Sequence, residues 1–467
     1  MKMCWLPLFA LVAVSSGLAQ APQPPSAQLW LTTVDRSSLL ALQSTPIPFT
    51  ETASSDRAIV VNDMEQYQSM EGFGFALTGG SAELLMRMTP ARRTALLSEL
   101  FAPGGDSIHV SYLRVSIGSS DMNDHPYTYD DLPAGATDPD LDKFSLDADR
   151  NSVIPVLREI LAMNPHIMIL GSPWSAPAWM KTNDNLRGGH LKPEYYGAYA
   201  RYFVKYIEGM KDAGIDISAV TVENEPLNPK NTPSMAMFAS EEDAFIANDL
   251  GPAFRKAGIR TGIQVYDHNP DVTSYPLSIL ADPIANQYVE GTAFHLYGGD
   301  SSELTKVHDL YPRKDLFLTE QSVTQDPHST RLEIAEPVDL VLIGATRNWS
   351  RNVLLWNLAA DANAGPHTGN GGCSSCWGAL TLVGDQVTRN VAYYALAHFS
   401  RFVPHGSIRI GSNDLEQLDN AAFLTPDGKI VLVVSNTGNF QSAFAIRYHG
   451  KTALTNLPPE SVGTYVW

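Results

Sequence analysis

Glu225 sits in the stretch AVTVENEPLNP and Glu320 in LFLTEQS. In both, an apolar run of strand-like length stops at a carboxylate, where a buried strand would emerge. Two carboxylic acids facing each other can split a glycosidic bond. One protonates the departing oxygen, and the other attacks the anomeric carbon or activates water. Sugar-binding chemistry needs flat rings for C–H faces and polar groups for hydroxyls, and such residues end other apolar runs. Arg114 lies in YLRVSIGSSD with Asp121 as its last residue, Trp174 in SPWSAPAW, and Asn224 beside Glu225. His295 and Tyr297 lie in FHLYGG, and Trp356 in LLWN. Glu223 shares a strand face with Glu225 by the two-residue period, but it lies deeper and reads as a supporting group. A lone Glu is ordinarily solvated or ion-paired; the pairing of Asn-Glu-Pro with a second strand-end Glu carries the reading.

These side chains need a scaffold that gathers strand ends. Eight runs read as buried strands: 72–78, 110–117, 167–171, 219–222, 262–266, 291–296, 316–319 and 353–357. Helical stretches at 82–101, 152–163, 193–213 and 241–257 lie between them. Near-continuous apolar strands joined by crossover helices imply a parallel sheet covered on both faces. Eight such units imply an α/β fold of the (β/α)8 TIM-barrel kind, whose strand C-terminal ends form the active-site mouth. From about residue 400 the pattern turns to alternating strands, with Pro-Asp-Gly at 426–428 as a hairpin signal. The expected organisation is a signal peptide over 1–19, then a linker and N-terminal strands over 20–66. A catalytic barrel over 67–399 and a C-terminal antiparallel β-sandwich over 400–467 follow, the N-terminal strands joining the sandwich.

The chain has 467 residues, 18% charged and 44% hydrophobic, so a large core forms readily. Thirty-two Lys and Arg against 50 Asp and Glu give a net charge of −18. Such a surface repels nucleic-acid backbones and anionic lipid heads, leaving neutral ligands as the open class. The opening MKMCWLPLFALVAVSSGLAQ has a Lys, a ten-residue apolar run and small residues up to Ala19. That layout predicts export, and the run is too short to span a bilayer needing about 20 residues. Cys373 and Cys376 in GGCSSCWG read best as a local disulfide in an exported protein. Zinc would need further ligands, and no second Cys pair or HxxxH occurs. No cofactor or metal is expected. Asp121 to His125 resembles a calcium-loop opening with Pro126 where Gly belongs, and Gly72-Phe-Gly74 is an incomplete dinucleotide fingerprint.

Together with ILGSPWSAPAWMKTN, YARYFVKYIEGM, LLWNLAADANAGP and YYALAHFSRFVPHGSIRI, these motifs run in order through most of residues 70–467. The chain resembles glycoside hydrolase family 30, and within it the glucosylceramidase (acid β-glucosidase) branch. The resemblance implies a (β/α)8 barrel with an adjoining β-sandwich and a retaining mechanism. Glu225 would be the acid/base and Glu320 the nucleophile. Asn224 would bond the sugar 2-hydroxyl, and Arg114, Asp121, Trp174, His295, Tyr297 and Trp356 would line the glucose subsite. The carboxyl groups should then lie about 5–5.5 Å apart, with the Glu225 pKa raised and that of Glu320 low. GFGFALTGG departs from the pattern, with Gly79 where many relatives carry Asp. The leading expectation is a β-glucosidase acting on glucosylceramide-like lipids among other neutral β-glucosides. The alternatives are a β-xylosidase or β-1,6-glucanase of the same family, and, from another class, a non-catalytic carbohydrate-binding protein. The sequence leaves the oligomeric state open.

Overall fold

The computed structural model describes residues 1, 25–326 and 328–467. The expected signal peptide therefore lies, apart from Met1, outside the described residues. The eight apolar runs form a closed parallel barrel. In order, its strands are Gly72–Leu77, Tyr112–Ile117, Met168–Pro173, Ala219–Thr221, Gly262–His268, Val289–His295, Asp315–Glu320 and Ser350–Leu355. Strands one and two are buried along their whole length, as a parallel sheet sandwiched between side-chain layers and helices requires. Close strand approach explains Gly74: a Cβ there would stand 1.5 Å from the Tyr112 carbonyl oxygen.

The helix expected over 82–101 is two helices, Gly79–Arg87 and Pro90–Phe101. Pro90 removes an N–H and pushes Thr89 out of helical conformation, so the first helix ends and a second begins with Pro at its first turn. The stretch 241–257 is likewise interrupted, with a π turn at Ile246–Leu250 between short α segments. A small sheet of Ala359–Ala360, Leu380–Val383 and Gln386–Arg389 follows barrel strand eight. It was not expected, because strands of two to four residues leave no readable period.

Both ends of the chain build the second layer. Ser26–Thr32 pairs antiparallel with Ser461–Val466. Ala58–Ser69 pairs antiparallel with Ile408–Ser412 at one end and parallel with Ser442–Tyr448 at the other. That strand runs past residue 66 to Ser69, so the barrel proper opens at Gly72. Ala27, Leu29, Leu31, Ile59, Val61, Ile410, Leu432 and Phe444 form a core separate from that of the barrel. The alternation at 27, 29 and 31 is the period-two signature of a strand with one buried face.

The last barrel helix, Val391–Ser400, ties the two parts together through His398. Its ring bridges the Thr464 and Thr32 hydroxyls, each at 2.8 Å. Burial drives its pKa down to about 3, so the ring is neutral, one nitrogen donating and the other accepting. An unfolded histidine titrates near its ordinary value of about 6.5. The unfolded state therefore binds the extra proton between these values, and this group's contribution to stability is complete above pH about 6.5 and lost as pH falls toward about 3. His398→Ala should lower stability by about 2 kcal/mol, by stranding two hydroxyls and opening a cavity. It should also flatten the acid side of the stability profile, as read from denaturant unfolding at several pH values.

Candidate active site

The structure brings every sequence-expected site residue to the C-terminal end of the barrel. Arg114 comes from strand two, Asp121 from the loop beyond it and Trp174 from just past strand three. Asn224 and Glu225 follow strand four, His295 ends strand six, Glu320 ends strand seven, and Trp356 follows strand eight. Tyr297 stands two residues beyond strand six, half-exposed at the rim. The backbone turns sharply at this rim: Glu225, Tyr266, Asp267 and Asn357 have φ of 47°, 78°, 53° and 57°. Positive φ in residues with a Cβ is held only where surrounding contacts over-determine it, and such residues gather at functional sites.

The centre is an anion that the sequence reading passed over. Asp267, in strand five, is fully buried and accepts five hydrogen bonds. Arg114 Nη2 donates at 2.7 Å, Ser172 Oγ at 2.7 Å, Thr221 Oγ1 at 2.9 Å, Thr319 Oγ1 at 2.6 Å and His295 Nε2 at 3.1 Å. Burial alone would protonate it, but the Arg114 and His295 charges and these bonds hold it well below the usual carboxylate range. Arg114 also donates to Glu320 Oε2 at 2.6 Å and Asn224 Oδ1 at 2.8 Å. Its guanidinium lies 4.7 Å from the Trp174 ring centroid, and Trp356 lies against Trp174 at 5.6 Å. Orientation by stacking and by bidentate donation is what a planar guanidinium supplies and an ammonium cannot.

Glu225 and Glu320 face each other, with oxygens of the two carboxylates within 4.8 Å. Glu225 Oε1 accepts from His295 Nδ1 at 3.1 Å, and its Oε2 from Asn228 Nδ2 at 2.7 Å. Glu320 Oε1 accepts from the Tyr297 hydroxyl at 2.9 Å. Both His295 nitrogens thus point at carboxylates, which calls for the doubly protonated ring. Burial opposes that charge, but the Glu320 and Asp267 charges outweigh it and raise the ring to about 9. Glu225, His295 and Glu320 are also the one group among the described residues with metal-ligand spacing. Their lone pairs are already committed to His295, Arg114, Tyr297 and Asn228, so the set reads as an acid–base cluster.

The pKa directions of the two glutamates run opposite to expectation. Burial would raise Glu225, but the His295 imidazolium and the Asn228 amide overcome it and hold the carboxyl at about 2. Burial and the neighbouring Glu225 and Asp267 charges together push Glu320 up, against His295 and Arg114. The cause is the position of His295, on hydrogen-bonding terms with Glu225 and 3.9 Å from Glu320. Glu223 stays behind the site, fully buried near Lys181, and burial pushes its carboxyl well above the ordinary range. At Gly79 a Cβ would meet the Asn123 amide at 2.0 Å, so Asn123 fills the space a side chain there would take.

A pocket of about 580 Å³ opens over the pair. Asp121, Trp356, His268 and the disulfide-bonded Cys373 and Cys376 contribute to its walls. Burial, with the Glu320 and Glu225 charges, pushes Asp121 up to about 8. On the Glu225 side the lining is Leu227, Asn228, Asn231 and Asn269, and beyond Glu320 it is Ser322 and Thr324.

Residues 70–403 match the glycosyl hydrolase family 30 TIM-barrel domain, and residues 406–465 the glycosyl hydrolase family 30 beta sandwich domain. An endo-1,6-beta-D-glucanase of Trichoderma harzianum is 35% identical over 425 residues, covering 85% of this chain and 84% of its own. The lysosomal acid glucosylceramidase of Mus musculus is 29% identical over 431 residues, covering 86% and 82%. Among solved structures, the endo-beta1,6-glucanase BT3312 superposes with a TM-score of 0.87 at 34% identity, covering 95% of this chain and 99% of that one.

Asp267→Asn should remove the anion that holds both cations. Breaking a buried ion pair costs about 3–5 kcal/mol, which denaturant unfolding would read. The His295 pKa should fall from about 9 toward the ordinary value, followed by NMR of the ring protons.

Proposed function

The chain belongs to glycosyl hydrolase family 30 and is a glycoside hydrolase, and from that premise we propose that it is a retaining β-1,6-glucanase. The observation that carries the choice of substrate is the polar wall around the two carboxylates. Asn228, Asn231, Asn269, Ser322 and Thr324 offer amides and hydroxyls, and Leu227 adds an apolar face to those of the Tyr297 and Trp356 rings. Amides and hydroxyls suit a second sugar, whereas a ceramide chain would leave them desolvated and unpaired. The similarity of the chain to endo-1,6-beta-D-glucanases at 33–35% identity points the same way. Glucosylceramide, the leading expectation from the sequence, gives way to what was its alternative. A binding-only protein gives way to an enzyme.

In this reading Glu320 attacks the anomeric carbon, the bond to the leaving oxygen breaks, and Glu225 supplies that oxygen with a proton. A covalent glycosyl-enzyme forms, and water activated by Glu225 then releases the sugar. The carboxylate spacing supports this over inversion, which needs about 6.5–9.5 Å to admit a water. Arg114 and Tyr297 fix the attacking carboxylate from its two oxygens. The resting proton sits on His295, and Glu225 and His295 share it across the 3.1 Å Nδ1–Oε1 contact. A sugar that covers Glu225 strips its remaining solvent and favours the neutral carboxyl, moving the proton onto the acid. Residues 1–19 read as an export signal, which would deliver the enzyme to extracellular glucan. No helix among the described residues is long and apolar enough to cross a membrane.

Purified enzyme should cut linear β-1,6-glucan with a kcat/KM at least about tenfold above that for glucosylceramide, a difference of about 1.4 kcal/mol. The reverse order would restore the lipid reading. Glu320→Gln should lower kcat on an aryl β-glucoside by about a thousandfold or more; unchanged turnover would remove it as nucleophile. Activity requires Glu320 ionised and one proton on the Glu225–His295 pair. The acid limb should therefore lie above the ordinary carboxylate value, and the alkaline limb should follow loss of the shared proton toward about 9. His295→Asn should move the alkaline limb down by about one unit or more, because no group titrating near 9 then holds the proton.

A further inference from the structure

The loop between Ala359–Ala360 and Leu380–Val383 carries the Cys373–Cys376 disulfide into the pocket wall. We infer that this disulfide turn is a positioning element for the sugar side of the pocket, holding Asp121 and the Trp174–Trp356 pair in place. The inference rests on the glycosidase reading of the pocket and deepens it.

Three contacts carry it. Cys376 is buried in a small apolar cluster with Ala76, Met122, Trp174 and Trp356, and Cys373 packs on the same cluster. The sulfurs therefore pack with the two rings, while Arg114 is held separately by Asp267. Thr368 N donates to the Asp121 carbonyl at 2.8 Å, and Asp121 and Cys373 line the same pocket. The Cys376 carbonyl accepts from Asn357 Nδ2 at 3.3 Å, and Asn357 adjoins Trp356. The loop also reaches the segment that follows Glu225, with Thr368 Oγ1 donating to the Thr232 carbonyl at 2.7 Å.

A general stabilising role does not account for this placement. A disulfide stabilises mainly by constraining the unfolded chain, and the effect grows with loop length, so a separation of three residues gives little. Gly369, Gly371 and Gly372 precede the bond. Glycines give a loop many conformations to lose, so local order here has to come from the cross-link and its packing. The turn thereby fixes polar and aromatic groups that a bound sugar would touch, while Glu225 and Glu320 keep their own supports.

The test compares KM and kcat on an aryl β-glucoside for the untreated protein, a Cys373→Ser/Cys376→Ser variant, and protein reduced with dithiothreitol. Reduction exchanges the two reagent thiols for the protein disulfide, leaving two protein thiols and one cyclic reagent disulfide. We expect KM to rise about fivefold or more while kcat stays within about twofold, since the turn acts on sugar binding and not on the carboxylates. Tm should change by only about 3 °C. Reoxidation of the reduced protein with oxidised glutathione should restore KM. A KM indifferent to the bond, or a fall in Tm alone, would overturn the inference, as would free thiols in the untreated protein. Absence of any turnover by the untreated protein would instead overturn the reading of the site.

Discussion

Asp267 is the constraint on which the site depends. A carboxylate with no water around it survives as an anion only if every lone pair is met, and here three hydroxyls, a guanidinium and an imidazolium meet them. Each donor comes from a different part of the barrel: Arg114 from strand two, Ser172 from three, Thr221 from four, His295 from six and Thr319 from seven. The anion thus fixes the rotation of side chains on five strands around a sixth. From Arg114 the order passes to Glu320 and Asn224, and from His295 to Glu225.

The same network sets the proton inventory. Three buried carboxylates stand against two cations, so the cluster keeps one net negative charge with its proton on His295. The ordinary assignment of a high pKa to the acid and a low one to the nucleophile presumes two carboxyls judged alone. With His295 against Glu225, the proton that Glu225 would donate in the proposed reaction is held on its neighbour, and the pair titrates as a unit.

Around this rigid centre the walls are loop-built, and loops carry the choice of substrate. The Asn228–Asn231 segment, Ser322–Thr324 and the 361–378 loop line the opening. The barrel supplies the paired carboxylates, while these loops supply the hydroxyls and amides on which the proposed preference for a sugar leaving group rests. Among the described residues the sandwich, made from both chain ends, contributes none to the pocket lining and braces the barrel through contacts such as those of His398 and Arg347.

The amino-acid sequence determined the eight barrel strands, the strand-end residues and the pair Glu225 and Glu320. Continuous apolar runs ending in polar groups have few other uses, and a strand end needs no distant partner to be recognised. The split at Pro90 is equally local, since a proline's missing N–H ends a helix with no distant partner needed. What the tertiary structure alone decided depends on distance across the barrel. Asp267 stood in view within YDHN, yet its meaning lies in donors from residues 114 to 319 converging on it. The small 359–389 sheet has strands too short to show a period, and its place follows from packing against the helix Gly79–Arg87, where Ser81 Oγ donates to the Ala359 carbonyl. The proton's resting place depends on which carboxylate each His295 nitrogen reaches. Coulomb energies and hydrogen bonds act through space, and the order of residues along the chain does not fix those separations until the barrel has closed.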